Sequence, residues 1–366
     1  MNQQKMNELK QWMAKEKIDL TYISDPHHIG YFSGYESDPH ERVLALFISL
    51  ESDPFLFTPA LEVEDAQNSS WSYPVYGYMD GENPWEKIAQ LIKQHGHPNK
   101  IATEKEFLSI ARFEALQSHF PEADLSANAT PAVERLQLIK TDAEIGLLLE
   151  AGNWADVALE IGFQAVTEGA AEQEIIAEIE YQLKRKGVRS MSFNTLVLTG
   201  KNAASPHGTP GAATVASGDL VLFDLGVIWK GYCSDVTRTI AYQEPTAFQK
   251  EIYALVLEAQ LAATAAVKPG VTAGELDQIA RGVIEKAGYG EYFNHRLGHG
   301  IGTTVHEFPS LITGNDLVIE KGMCFSMEPG IYIPGKVGVR IEDCVHVTED
   351  GCESFTKTPK ELQIFG

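Results

Sequence analysis

Positive charge is scarce in this chain. Its 366 residues hold 29 Lys and Arg against 51 Asp and Glu, a formal net charge of −22. Nucleic acid is not an expected partner, because neutralising a phosphate backbone needs clustered Lys and Arg. Cysteine is scarce as well: Cys233, Cys324, Cys344 and Cys352 are the four, and none forms a C-x-x-C pair. Neither a zinc ribbon nor a disulfide framework is expected, and reduced thiols in a cytoplasmic protein are the simple account. Eighteen apolar residues never run together, so no membrane span is expected. The opening MNQQKMNELKQWMAKEKIDL lacks the apolar stretch of a secretory leader and predicts an amphipathic helix carrying Met6, Leu9 and Met13.

What is present organises the chain into two domains, a size for which each can bury its own core. LTYIS at 20–24, VLALFIS at 43–49 and PFLFT at 54–58 read as strands and KIAQLIKQ at 87–94 as helix, predicting a smaller α/β N-terminal domain over 1–130. From 131 to 366 three capping boxes announce helices: Thr141 with Glu144, Thr246 with Gln249, and Thr272 with Glu275. Another helix is expected over 172–186, ending at Gly187. Two long hairpins are expected at 220–242, turning near Trp229–Gly231, and at 324–347, turning near Pro334–Gly335. The fold class is therefore α+β, with a C-terminal domain of two helix-helix-hairpin halves that suggest an internal pseudo-twofold.

Each hairpin carries two acids in apolar surroundings, Asp224 and Asp235 in the first, Glu328 and Glu342 in the second. Near-symmetry about each turn would bring the partners close to opposite one another. Four such carboxylates cannot stay charged together when buried; they need protons on them or cations between them. Facing solvent or pairing with lysines is the ordinary fate of strand acids, but the matched recurrence favours a metal site. HRLGHGIGTTVHE, residues 295–307, supplies His295, His299 and His306 on a backbone with glycine at 298, 300 and 302. Alternate glycines argue against a zinc-binding helix and for an extended segment that something approaches closely. Oxygen-rich donors with one imidazole suit Mn²⁺ or Co²⁺ at least as well as Zn²⁺, and two such ions make metal-assisted hydrolysis the expected chemistry. The polar stretch Asp38, His40, Glu41 and Arg42 reads as a solvated turn, or else as a loop reaching a neighbouring subunit's cleft.

DLGVIWKGYCSDVTRT, HRLGHGIGTTVHE, SMEPGIY and GVRIED together resemble the creatinase/prolidase/methionine aminopeptidase family of metallopeptidases, with its pita-bread fold. Within it the motifs are similar to the bacterial Xaa-Pro dipeptidase (prolidase) branch. The resemblance implies five ligands for two divalent ions, Mn²⁺ foremost: Asp224 on the first, His299 and Glu328 on the second, Asp235 and Glu342 bridging. It implies His306 beside the scissile carbonyl oxygen, His207 as a further substrate-binding and catalytic histidine, and His295 near the proline end. Arg340 is placed either to receive a substrate carboxylate or to neutralise the acids, and His295 either binds substrate or is a loop histidine. The implied reaction is hydrolysis of Xaa-Pro dipeptides by a hydroxide between the ions, with Glu328 as general base, in a homodimer. The alternatives are an Xaa-Pro aminopeptidase acting on longer peptides and a non-catalytic pita-bread binding protein. The intact ligand set argues against creatinase, and the extra N-terminal domain against methionine aminopeptidase. Thr303 and Thr304 depart from the aliphatic or acidic residues common after GIG.

Overall fold

The computed structural model describes residues 2–205 and 208–366. They form two compact units that divide between Gln137 and Leu138. The composition shift near residue 130 falls at the start of the helix Thr130–Leu138.

In the N-terminal unit the sheet runs Val75–Tyr78, Phe55–Pro59, Ala45–Ser49, Leu20–Ile23, Ile101–Thr103. Its outer two pairings are parallel and its inner two antiparallel. Leu20–Ile23, Ala45–Ser49 and Phe55–Pro59 are buried at almost every residue, and that is why they read as unbroken apolar runs rather than alternating ones. One core takes Met6, Leu9 and Met13 from the helix Gln3–Glu16; the other takes Ile88 and Ile92 from the helix Pro84–His95. The stretch Asp38–Arg42 is a surface turn. His40 adopts a φ of 53°, its N–H donates to Asp38 Oδ1 at 3.0 Å, and Arg42 makes a two-pronged pair with Asp80 at 2.8 and 3.0 Å.

The C-terminal unit repeats one order of elements. Helices Asp142–Ala165 and Glu172–Arg185 precede the first hairpin, and helices Ala247–Ala266 and Ala273–Lys286 precede the second. All three capping boxes form as the sequence expects, each worth about 1 kcal/mol to its helix end. The helix at 172 begins without a capping hydroxyl; there Glu174 accepts the Ala171 N–H at 3.0 Å. The main sheet runs Glu307–Leu311, Gly298–Gly300, Cys324–Met327, Glu342–Val347, Val236–Tyr242, Leu220–Leu225, Leu196–Thr199. The inner strands of the two hairpins lie side by side at its centre, which is where the two halves meet.

Strand alternation then sorts the two faces. Val221, Phe223, Leu225, Val236 and Ile240 pack in one core, and Phe325, Met327, Val345 and Val347 in the other. Asp224, Asp235, Thr237, Ser326, Glu342 and Cys344 take the intervening positions and so share the opposite face. Among the described residues no helix is long and apolar enough to cross a membrane, and all four cysteines are free thiols.

Candidate metal centre

Register brings the acids together, though one expected pairing is corrected. Asp224 is opposed by Thr237, not by Asp235. The first hairpin turns through Lys230 and Gly231 at φ 50° and 82°, both left-handed as a type I′ turn demands. That centres the ladder one residue beyond the midpoint of the two aspartates. Asp235 therefore lies diagonally from Asp224, two residues nearer the turn and on the same face. The second hairpin behaves as expected: Met327 opposes Asp343 and Gly330 opposes Arg340, which sets Glu328 against Glu342. Thr237 is also the partner of Glu342 across the join between the halves. Asp224, Thr237, Glu342 and Glu328 thus form a row across four strand positions.

His299 enters from the neighbouring strand. Its own N–H donates to Ser326 Oγ at 3.0 Å, and Ser326 Oγ donates to Glu328 Oε1 at 3.1 Å. Gly298 is required for this approach, because a Cβ there would lie 1.9 Å from the Ser326 carbonyl oxygen. The expectation of an extended, closely approached segment is what the structure shows. His299 Nδ1 lies 3.1 Å from the Gly300 carbonyl, which can only accept, so Nδ1 carries the proton. The Nε2 atom then points at Glu328 Oε1, 3.2 Å away, and Asp235 Oδ2, 3.6 Å away.

This donor set fits a cation. Asp235, His299 and Glu342 each bring one ligand atom within 4.8 Å of the others. Asp235 Oδ1 and Glu342 Oε1 are buried without any hydrogen-bond partner, a costly condition for a carboxylate unless an ion takes the place of the donor. Burial, and then repulsion from the other acids, pushes the Asp235 and Glu342 carboxyls well above the ordinary range. Asp224 is also raised by burial, against the pull of Arg340. Asp224 and Glu328 stand outside the three-residue group, each held by a cationic or imidazole neighbour, Arg340 and His299 respectively.

Arg340 is fully engaged. Its Nη2 pairs with Asp224, Nη1 donates to Tyr332 Oη at 2.6 Å, and Nε donates to Thr237 Oγ1 at 3.0 Å. Thr237 in turn donates to Glu342 Oε2 at 2.6 Å. His295 Nδ1 donates to the Arg296 carbonyl at 2.8 Å, leaving Nε2 to accept from Tyr332 Oη at 3.2 Å. Burial depresses the His295 imidazole. The His306 ring meets the His299 ring edge-on with centroids 4.2 Å apart. Partial desolvation of its ring, with His299 and Arg296 adding to it, pushes His306 down to about 4, so it is neutral at neutral pH. His207 lies outside the described residues. The segment on either side of it is tied by buried Glu172, which accepts from Thr199 N, Asn202 Nδ2 and Gly211 N at 2.8–2.9 Å.

Sequence reasoning missed Tyr332, Thr237 and Ser326. It also missed Arg238, buried beneath the row, which donates to the carbonyls of Thr237 and Glu342 at 2.9 and 2.5 Å and to Asp343 Oδ1 at 2.6 Å. Tyr332 had a local signal, being the last residue of the SMEPGIY motif. Arg238 had none, since apart from the adjacent Thr237 carbonyl its partners lie over a hundred residues away.

Residues 146–349 match the model of metallopeptidase family M24, and residues 5–139 match the creatinase/prolidase N-terminal domain. An Xaa-Pro dipeptidase of Lactobacillus helveticus is 53% identical over 361 residues, covering 98% of each chain. An Xaa-Pro dipeptidase of Lactobacillus delbrueckii subsp. lactis is 50% identical over the same length, again with 98% of each covered. The solved Xaa-Pro dipeptidase from Bacillus anthracis superposes with a TM-score of 0.92 at 36% identity and covers all of both chains.

Proposed function

The chain belongs to metallopeptidase family M24, and on that premise we propose that it is an Xaa-Pro dipeptidase whose two divalent cations are held by Asp224, Asp235, His299, Glu328 and Glu342. The observation that carries this reading is the pair of partnerless buried oxygens on Asp235 and Glu342 beside the Nε2 of His299. Manganese is the cation we assign, from the oxygen-rich donor set. When bound, the cations supply an acidified water and polarise the scissile carbonyl.

The chain's own residues do the rest. Glu328 takes a proton as general base; in the metal-free fold its carboxyl is held down to about 2, where burial opposes this and a second proton, on His299 Nε2, supplies the hydrogen bond and charge. Neutral His306 donates to the carbonyl oxygen as charge develops there, a contact worth a few kcal/mol when preorganised. His295 and Tyr332 line the end where the proline carboxylate lies. Arg340, paired with Asp224 in the metal-free fold, would meet that carboxylate when Asp224 holds a cation. His207 joins the substrate contacts on the strength of the family resemblance. An Xaa-Pro bond is a tertiary amide without an N–H, so no acceptor need be provided at that atom.

Activity on Ala-Pro against Ala-Pro-Ala, after dialysis into Mn²⁺, Co²⁺ or Zn²⁺, tests the reading. The dipeptide should be cleaved at least about tenfold more efficiently, a difference of roughly 1.4 kcal/mol in transition-state stabilisation. Equal cleavage would mean an aminopeptidase, and no cleavage with any ion a binding protein. We also assign a cytoplasmic homodimer, the location from the four free thiols and the dimer from the family resemblance. Light scattering should return twice the chain mass of 40.3 kDa; a monomer at assay concentration would refute it.

A further inference from the structure

The VHE motif leaves one acid without a role in the chemistry above. Glu307 is 5% exposed at its side chain, and its Oε2 pairs at 2.8 Å with Lys140 Nζ, which is 2% exposed. Lys140 stands 167 positions earlier, just before the capping box of the helix Asp142–Ala165. Its backbone is itself pinned, donating to the Gly322 carbonyl at 2.9 Å beside the bridge between Ile139 and Met323. The other carboxylate oxygen of Glu307 accepts from Thr303 Oγ1 at 3.3 Å and from Thr304 N at 3.2 Å. Gly302 wraps so closely that a Cβ there would sit 2.4 Å from both carboxylate oxygens. The loop 302–306 is therefore wound about one carboxylate, which a buried cation anchors to the body of the unit.

His306 is the last residue of that loop. It is an exposed residue whose ring touches the His299 ring, so its placement comes from the backbone on either side. We propose that the Lys140–Glu307 pair is a positioning device that sets the loop 302–306 and, through it, the place of the His306 imidazole over the metal centre. The proposal rests on the reading of His306 as the partner of the carbonyl oxygen. Displacing a reacting contact by about an ångström costs on the order of 10²-fold in rate, and Lys140 touches neither the proposed ligands nor the substrate groups named above.

Lys140→Met, Lys140→Arg, the double variant Lys140→Met/Glu307→Gln, His306→Ala and the combination of Lys140→Met with His306→Ala test it. Lys140→Met should lower kcat on the order of 10²-fold while KM shifts by less than about threefold. Lys140→Arg, which keeps the charge, should recover most of that loss. In the His306→Ala background Lys140→Met should have little further effect, since both act through one group. The ¹⁵N-histidine spectrum of the metal-free protein gives a readout apart from turnover. The His306 signal, identified by its loss in His306→Ala, should move in Lys140→Met and return in Lys140→Arg. If Lys140→Met does not fold, the double variant, which strands no buried charge, is read in its place. An unchanged kcat in His306→Ala would end the role of His306 itself. A lowered kcat there, with Lys140→Met or the double variant leaving kcat and the histidine signal in place, would overturn the positioning role alone. Multiplicative losses in the combined variant would overturn it as well.

Discussion

Replacing Asp235 with Asn should abolish turnover and leave the metal-free protein at least as stable as the parent at neutral pH. Both halves follow from one geometry. Asp235 is 5% exposed, its Oδ1 has no hydrogen-bond partner, and it shares a buried face with Glu342, Asp224 and Glu328. In our reading it bridges two cations, so the amide, which carries no charge, should cost about 10³-fold or more in kcat by dismantling the site as a unit. Without cations the same carboxylate is a liability: burial first, then Glu342, Asp224 and Glu328, push its pKa well up. Each unit of such a shift is about 1.4 kcal/mol of disfavoured ionisation, which an isosteric amide avoids. Chelated Asp235→Asn should therefore melt at or above the chelated parent at pH 8, and divalent ions should raise its melting temperature less. A variant keeping more than a tenth of parental activity would remove Asp235 from the chemistry. One that melts well below the chelated parent would show that the acid cluster is not under electrostatic strain.

Much of this face was legible because the signals are local. A hydroxyl three residues before an acid or amide is enough to start a helix, and Thr141, Thr246 and Thr272 do so. A Lys-Gly pair between alternating strands is enough to place a hairpin. The four acids stood out because charge is expensive where neighbours are apolar. Their mutual arrangement was less accessible. The position of Asp235 relative to Asp224 depends on whether the turn has two residues or one more, and a shift of one place changes which side chain lies opposite. The second hairpin, centred on Gly335, gave Glu328 against Glu342 without correction.

The rest was hidden because it is made by contacts between distant segments. Thr237 bonds Glu342 across 105 positions, and Arg340 reaches Asp224 across 116. Arg340 illustrates the limit well. Its strand, Val337–Arg340, ends two residues before Glu342, where the next begins, and both side chains meet Thr237 on one face. Its guanidinium belongs to a relay through Tyr332 to His295 that no spacing in the chain encodes. The glycines of the histidine segment have a similar explanation. Gly298 and Gly302 are small because the Ser326 carbonyl and the Glu307 carboxylate occupy the space a Cβ would fill.

Removing divalent ions from the parent should abolish activity and make stability fall as pH rises. In the metal-free fold Asp224, Asp235 and Glu342 all titrate above their ordinary values of 3.8 and 4.5, burial being the largest cause for each. Above about pH 4 these three carboxyls then hold more protons in the native state than in the unfolded chain. Their contribution to stability must decline with pH from there until the raised values have been passed. Glu328 works in the opposite sense. Held down to about 2 by His299 despite its burial, it contributes stability above its ordinary 4.5 and loses it as pH falls toward 2. His295 and His306, both depressed, oppose the raised acids only up to their ordinary 6.5, so the three raised acids set the net direction above it. Cations take the place of the missing protons: at a hundredfold excess over Kd a single site adds about 2.7 kcal/mol, and more of that gain is available where the acids would otherwise repel. The gap in melting temperature between Mn²⁺-loaded and chelated protein should therefore widen from pH 5 to pH 8, with turnover lost on chelation and regained on adding Mn²⁺. A gap that narrows over that range would mean that the carboxylates are not competing between protons and ions, and turnover that survives chelation would mean that hydrolysis proceeds without the ions at all.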